Sequence, residues 1–364
     1  MLVLILIDRI HILTLLNKKF MFSIDNKTIL ITGGSGSFGR KFIEITLRDY
    51  PSVKKIIVFS RDEMKHLEMM RLYPEKQFPQ LRFFVGDVRD KDRLMRACEG
   101  VDILIHAASM MTLEASEYNP DETIKTNILG AQNVIDCAIK CGIRNVIALS
   151  SDKACSPVSL YGASQLVSDK LFVAANNITG GKDVHFSIIR YGNVMGSKGS
   201  VFFYFMERSK IGGRELPITD KRMTRFLISN QQVVNMVYYV IEKQLGGEIF
   251  VPKMPSYRIT DLATAIAPKM EQKEIGRRLG ERLNEIIISE SDAENTLETP
   301  FFYVTIPAIS YSKKRTKQDY MDYYKGSMVP NGFFYSSNTN TQFETVASLR
   351  EKIRRYIDYN FKAK

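Results

Sequence analysis

Residues 150–165 read SSDKACSPVSLYGASQ, which brings serine hydroxyls, a carboxylate, an ammonium and a phenol into one short stretch. Tyr161 and Gln165 stand at i and i+4, so on a helix they project along one face. A tyrosine titrates near pH 10 and is a poor base at neutral pH. A neighbouring cation stabilises the phenolate and lowers that value. Glutamine forms hydrogen bonds but supplies no charge. Proton transfer through Tyr161 therefore depends on a cation from elsewhere, and Lys153 is the nearest in sequence.

The elements around this stretch follow from hydrophobic pattern. RNVIALSS predicts a strand whose C-terminal end delivers Ser150 and Ser151, and in a doubly wound sheet ligand chemistry collects at such ends. SLYGASQLVSDKLFVAANNIT predicts the helix that carries Tyr161 near its start. HFSIIRYGNVMG predicts the next strand, with Tyr191 and Asn193 beyond it.

Upstream, KTILITGGSGSFG predicts a strand over Ile29–Ile31, then a glycine-rich turn and a helix beginning RKFIEITLRDY. Gly33, Gly36 and Gly39 have the spacing needed for a tight turn, close backbone approach to a pyrophosphate, and close helix–strand packing. Free amides at the helix start receive phosphate charge, which makes Ser35, Ser37 and Phe38 cofactor candidates with the glycines. The next strand, KKIIVFSRDEMK, ends on Ser60 and Arg61 instead of an acid, with Lys65 one turn on. Arg61 and Lys65 suit a 2′-phosphate, so NADP is expected over NAD. The alternative has Asp62 on the ribose and Arg61 in solvent. LRFFVGDVRD predicts a strand ending at Asp87, with Asp87 and Val88 flanking adenine. Val101–Ile105 predicts a fourth strand, followed by His106, read as structural, and by Ala107 and Ala108, small enough for close passage past the cofactor. Asn127 falls on one long helix, TIKTNILGAQNVIDCAIKCG.

The GxxGxxG form resembles that of extended short-chain dehydrogenases/reductases. The blocks TGGSGSFG, FSRDEMK, GDVRD, HAAS, KTNILGAQNVIDCA, ALSSDKA, SLYGAS, IIRYGNVMGSKGSV, PITDKRMTRF and ISESDAENT together resemble the inverting UDP-N-acetylglucosamine 4,6-dehydratases of pseudaminic acid synthesis. The resemblance runs from about Met21 to Ile306 and implies a Rossmann-like doubly wound parallel sheet with a smaller C-terminal α/β substrate lobe. It implies catalytic roles for Ser151, Asp152, Lys153 and Tyr161. The lysine that assists the tyrosine in that family falls on Gln165, here still a cofactor contact beside Tyr161. A lysine common behind the alanines is replaced by Met110 and Met111, leaving Met111 as a substrate contact. The implied reaction is NADP-dependent. It oxidises C4, eliminates water across C5 and C6, returns hydride to C6 and inverts C5, giving UDP-2-acetamido-2,6-dideoxy-β-L-arabino-hex-4-ulose. Because Gln165 breaks the tyrosine–lysine couple, a C4 or C5 epimerase on a UDP-N-acetylhexosamine and a weakly active nucleotide-sugar-binding relative stay open. The resemblance also implies a homo-oligomer, dimer or hexamer.

The expected organisation is an extension at 1–20, an NADP-binding domain at 21–194, a substrate lobe mainly at 195–330 with interleaved pieces of the main domain, and a tail and helix at 331–364. The extension is read as an upstream start, with an interfacial helix as the alternative. Asn193, Ser197, Ser200 and the amides of SKGSV are candidates for the uridine diphosphate. Arg225 and Arg258 are candidates for its phosphates, because guanidinium matches paired oxygens. The last helix is expected to start near Ser348 and to pack on the N-terminal domain or in a subunit contact.

The chain has 364 residues, 51 basic against 40 acidic, and a net charge of +11. Its basic residues are scattered, which argues against nucleic acid and suits an anionic small substrate. The N-terminal apolar run is broken by Asp8, Arg9 and His11 and is too short to span a bilayer. Four cysteines, Cys98, Cys137, Cys141 and Cys155, are too few for a disulfide scaffold and fit a reducing, cytoplasmic setting without a metal site.

Overall fold

The structure is a computed structural model that describes residues 24–197, 199–309 and 315–363. The expected extension at 1–20 and the amide of Lys198 lie outside these residues.

The first half alternates strands and helices: β1 (Thr28–Thr32), α1 (Ser37–Asp49), β2 (Lys55–Ser60), α2 (Glu63–Leu72), β3 (Leu81–Val85), α3 (Lys91–Cys98) and β4 (Ile103–His106). Next come α4 (Leu113–Tyr118), α5 (Pro120–Ile124), a π-helical turn (Lys125–Leu129), α6 (Gly130–Cys141), β5 (Asn145–Ser151), a 3₁₀ turn (Asp152–Ala154), α7 (Leu160–Ala175) and β6 (His185–Tyr191). While β3 at the sheet edge is largely uncovered, the inner strands are runs of mostly β-branched and aliphatic residues, fully buried in TILIT of β1. That pattern belongs to a parallel sheet covered on both faces.

The second half carries β7 (Asn193–Met195), α8 (Val201–Ile211), β8 (Glu215–Ile218), β9 (Thr224–Ser229), α9 (Asn230–Lys243), β10 (Ile249–Pro252), β11 (Ser256–Arg258), α10 (Ile259–Ile266) and β12 (Glu271–Glu274). It closes with β13 (Ile286–Ile288), α11 (Glu290–Ala293), β14 (Thr296–Glu298), β15 (Phe302–Thr305), α12 (Lys317–Tyr324), β16 (Ser327–Met328), β17 (Tyr335–Ser336) and α13 (Val346–Tyr356).

The main sheet runs β16-β14-β15-β10-β6-β5-β4-β1-β2-β3. Its segment β3-β2-β1-β4-β5-β6 is parallel throughout and reverses order between β1 and β4, where this fold binds dinucleotides. Strands β10, β14, β15 and β16 bring residues from the second half back into this sheet. A separate core forms around Phe202, Phe205, Leu216, Tyr257, Leu262 and Leu349.

Several boundaries differ from the sequence reading. β3 stops at Val85, because Asp87 turns to accept from the Arg89 amide at 3.0 Å. β4 begins at Ile103 and not at Val101. The helix expected around Asn127 is interrupted by the π turn, a feature that often marks a functional site. The last helix starts at Val346, two residues early, because Thr345 and Ser348 form a reciprocal cap. It packs on the second core, where Arg350 Nε donates to the Ala265 carbonyl at 3.0 Å, and not on the N-terminal domain.

Candidate active site

The glycine-rich turn joins β1 to α1. Gly33 has φ +66°, and a Cβ there would lie 2.8 Å from the Ala107 carbonyl oxygen. A Cβ on Gly39 would lie 2.2 Å from the Gly34 carbonyl oxygen, so helix and turn meet backbone to backbone. Gly36 caps α1 with no side-chain hydrogen bond, and the first turn holds no acid. That leaves the amides around Ser37 and Phe38 open to an anion, and a dinucleotide pyrophosphate fits this cradle.

At the end of β2, Ser60 Oγ lies 2.8 Å from Ser35 Oγ and 2.8 Å from His66 Nε2. Asp62 caps α2 by accepting from the Lys65 amide and pairs with the Lys65 ammonium at 2.6 Å. Its carboxylate is thus drawn into its own helix. Arg61 is largely exposed and stands 3.7 Å from Asp87. Burial pushes the Asp87 carboxyl up, but hydrogen bonds from Arg89 outweigh it and hold the group below the usual range. Val88 is buried, and a Cβ on Gly130 would lie 2.8 Å from it.

At the end of β4, burial brings the His106 imidazole down to about 4, and its Nδ1 is 2.8 Å from Thr32 Oγ1. The Ala107 amide donates to the Thr32 carbonyl at 3.1 Å. Asn127 clamps the following loop: Oδ1 accepts from the Met110 amide at 2.8 Å, and Nδ2 donates to the Met110 carbonyl at 2.9 Å and to Ser164 Oγ at 2.9 Å. The π turn therefore ties the loop carrying Ala108 and the exposed Met111 to the Tyr161 helix.

The reactive groups meet where β5 enters the 3₁₀ turn. Asp152 is buried, and its Oδ1 accepts from Ser151 Oγ at 2.9 Å and from Lys153 Nζ at 3.0 Å. Its Oδ2 is buried without a hydrogen-bond partner among the described residues. Such an oxygen is costly unless a ligand uses it. Burial pushes the Asp152 carboxyl above its usual range despite Lys153. Lys153 Nζ also lies 2.9 Å from Glu285 Oε1. Burial works against this ammonium, but Asp152 and Glu285 outweigh it and hold the lysine above its ordinary range.

Tyr161 reaches the same cluster because α7 approaches the 3₁₀ turn closely. A Cβ on Gly162 would lie 2.4 Å from the Lys153 carbonyl oxygen. Burial pushes the Tyr161 phenol up to about 12, against the pull of a Ser151 hydrogen bond and of Lys153. Gln165 is buried one turn on, and among the described residues no hydrogen bond reaches its carboxamide. One further turn on, Asp169 is paired with Arg190 at 3.0 Å, and Arg190 also meets Asp292 at 3.0 Å.

The expected substrate residues divide. Ser200 caps α8 with a buried hydroxyl that has no partner among the described residues, in a first turn without acids. This arrangement suits phosphate. Ser197 Oγ donates to the Val194 carbonyl at 3.0 Å, and Asn193 Nδ2 donates to the Tyr257 hydroxyl at 3.4 Å. Arg225 is buried. It donates to the carbonyls of Thr224 and Leu283 at 2.8 and 3.0 Å and pairs with Glu285 at 3.3 Å and Glu281 at 3.4 Å. Its guanidinium is thus directed at protein acceptors, where sequence reasoning had it meeting phosphate. Arg258 is exposed, 3.7 Å from Asp261 and over the Phe343 ring. Sequence reasoning missed Glu285, whose only signal was an acid opening the apolar strand EIII. It also missed His66 and the Arg190 triad. Among the described residues no group of three or more His, Cys, Asp or Glu is arranged to hold a metal, and no helix is long and apolar enough to cross a membrane.

Residues 29–307 match the model of a family described as polysaccharide biosynthesis protein. A UDP-N-acetylglucosamine 4,6-dehydratase (inverting) of Campylobacter jejuni is 50% identical over 90% of this chain and 98% of its own. A UDP-glucose 4-epimerase of Rickettsia canadensis is 40% identical over 76% of this chain and 82% of its own. Among solved structures, Pen from Bacillus thuringiensis superposes over 92% of this chain and 98% of its own, with TM-score 0.82 and 29% identity. DesIV, a dTDP-glucose 4,6-dehydratase from Streptomyces venezuelae solved with NAD and TYD bound, shares the fold at TM-score 0.63 and 22% identity, over 81% of this chain and 97% of its own.

The Tyr161–Gln165 face generates a prediction. A phenol moved from 10.0 to about 12 forms about a hundredfold less phenolate at neutral pH. Turnover of the wild-type chain should therefore rise toward alkaline pH. Gln165→Lys places an ammonium between Tyr161 and Asp169, and should raise the neutral-pH rate roughly tenfold for each unit by which it lowers the tyrosine. A pH–rate comparison of the two proteins decides. A wild-type rate already maximal near neutrality, with no gain in the variant, counts against it.

Proposed function

We propose that this chain, which belongs to the polysaccharide biosynthesis protein family together with the UDP-N-acetylglucosamine 4,6-dehydratases (inverting), dehydrates UDP-N-acetylglucosamine with NADP as cofactor. The observation that carries the reading is the Asp152–Lys153 pair at the end of β5: an unpartnered carboxylate oxygen beside an ammonium, next to the Tyr161 phenol.

Tyr161 takes the proton from the sugar C4 hydroxyl, with Lys153 as the cation that favours its phenolate. The cofactor supplies the hydride acceptor at C4 and the hydride donor at C6. A C4 ketone makes the C5 proton acidic, and Asp152 Oδ2, unpartnered among the described residues, is the base we assign to take it. The Lys153 ammonium protonates the departing C6 hydroxyl, which leaves as water. Return of the hydride to C6 would go with a proton from solvent on the face of C5 opposite Asp152, which inverts that centre and gives UDP-2-acetamido-2,6-dideoxy-β-L-arabino-hex-4-ulose. This division of labour follows general acid–base logic, in which a group's environment sets its role.

NADP is favoured over NAD because Asp62 is turned into its own helix, while Arg61 stays largely exposed at the end of β2. Calorimetric titration should show tighter binding of NADP than NAD. Equal affinities, or tighter NAD, defeat the cofactor assignment.

Incubation with UDP-N-acetylglucosamine should yield a 4-keto-6-deoxy product in the wild type. Lys153→Ala should block elimination while sparing much of the C4 oxidation. Deuterium exchange at C5, followed by mass spectrometry, separates these steps. A C4 epimer formed without loss of water favours the epimerase reading instead. Unimpaired exchange and product formation in the variant assign the elimination to other groups.

A further inference from the structure

The chain returns to the end of β5 through the segment that enters β13. Glu285 opens this segment, and its backbone is fastened on both sides. Its amide donates to Ser337 Oγ at 2.9 Å, and its carbonyl accepts from the Ser337 amide at 2.8 Å and from Ser336 Oγ at 3.1 Å. Ser337 Oγ in turn lies 2.7 Å from Thr224 Oγ1 on β9. The main chain therefore sets the position of the carboxylate. That carboxylate is buried, 2.9 Å from Lys153 Nζ and 3.3 Å from Arg225 Nε.

An ammonium has three N–H donors. At Lys153 one is directed at Asp152 Oδ1, while Glu285 Oε1 stands 2.9 Å from the nitrogen as an ion-pair partner without hydrogen-bond geometry, so further donors are left for a ligand. We propose that Glu285 is a positioning residue for the Lys153 ammonium: its charge holds the lysine between two carboxylates of different elements, keeps it an ammonium, and leaves its remaining donors for the substrate. The proposal rests on the reading of Lys153 as the acid of the elimination.

The charges facing Lys153 and its partners come from every element packed there. They are Asp152 on the 3₁₀ turn, Tyr161 on α7, Arg225 on β9, Tyr257 on β11, and Glu281, Arg282 and Glu285 on the segment before β13. Three cations meet three carboxylates. Burial pushes the Glu285 carboxyl up, but Lys153 and Arg225 outweigh it and hold it ionised below its usual range. Neutralising Glu285 leaves one positive charge in excess, so Lys153 should release its proton at lower pH.

Glu285→Gln keeps the size of the side chain and removes its charge. The Lys153 protonation state is read by carbon NMR of lysine-labelled protein without substrate, with the signal assigned through Lys153→Arg. The wild-type lysine should stay an ammonium past its ordinary range. In Glu285→Gln its midpoint should fall by about one unit or more, a tenfold change in proton affinity. The alkaline limb of kcat with UDP-N-acetylglucosamine should fall with it, while KM changes less than about threefold. Glu285→Asp keeps the charge one methylene further away and should give a smaller shift, and it serves if the glutamine variant fails to fold. An unmoved lysine midpoint overturns the proposal. So does a moved midpoint with an unmoved alkaline limb, because the proton Glu285 holds is then not used in turnover. If the wild type does not dehydrate the sugar, the functional reading fails, while the substrate-free titration still decides whether Glu285 holds Lys153.

Discussion

The architecture of the site depends on one half-buried ammonium held between two buried carboxylates from distant parts of the chain. Lys153 and Asp152 are neighbours in sequence, but Glu285 reaches them only because the second half of the chain folds back to the end of β5. The same returning segment carries Glu281 to Arg225 and Asp292 to Arg190. Its carboxylates thus meet cations of the sheet ends in a low-dielectric setting. Removing one member of a buried pair costs about 3–5 kcal/mol, largely because the other charge is left uncompensated. The interleaving of the two halves and the ionisation of the reactive groups are therefore one requirement.

Helix α7 serves that cluster through its spacing. Gly162 lets the helix touch the Lys153 carbonyl, which brings Tyr161 beside Ser151. The same face then presents Gln165 and Asp169, both buried. Asp169 is already neutralised by Arg190, so the position between the tyrosine and the ion pair carries no charge of its own. The cation that acts on the Tyr161 phenol is accordingly Lys153. The π turn adds a second constraint, since Asn127 fastens both the loop behind β4 and Ser164 of α7.

Much of the fold was legible because its signals are local. Uninterrupted apolar runs gave the parallel strands, and the glycine spacing gave the turn at the switch point between β1 and β4. The group at residues 151–165 was legible for the same reason, since one strand end and one helix start hold it. Glu285 was not legible, because an acid before three isoleucines looks like any exposed strand end until Ser336 and Ser337 fasten its backbone. What the sequence did not show at Arg225 is that two glutamates and two carbonyls already meet its guanidinium. The π turn escaped because periodicity does not distinguish one inserted residue from a continuous helix.

In the proposed reaction one site removes a hydride from C4 and places the same hydride on C6, with Asp152 and Lys153 eliminating water between these steps. Substrate carrying deuterium at C4 tests this most directly. The expected result is a 4-keto product with the deuterium at C6, transferred within a single turnover and not diluted by unlabelled cofactor in the medium. Deuterium retained at C4 of a product that has kept its C6 hydroxyl, or released into the free cofactor pool, would contradict it.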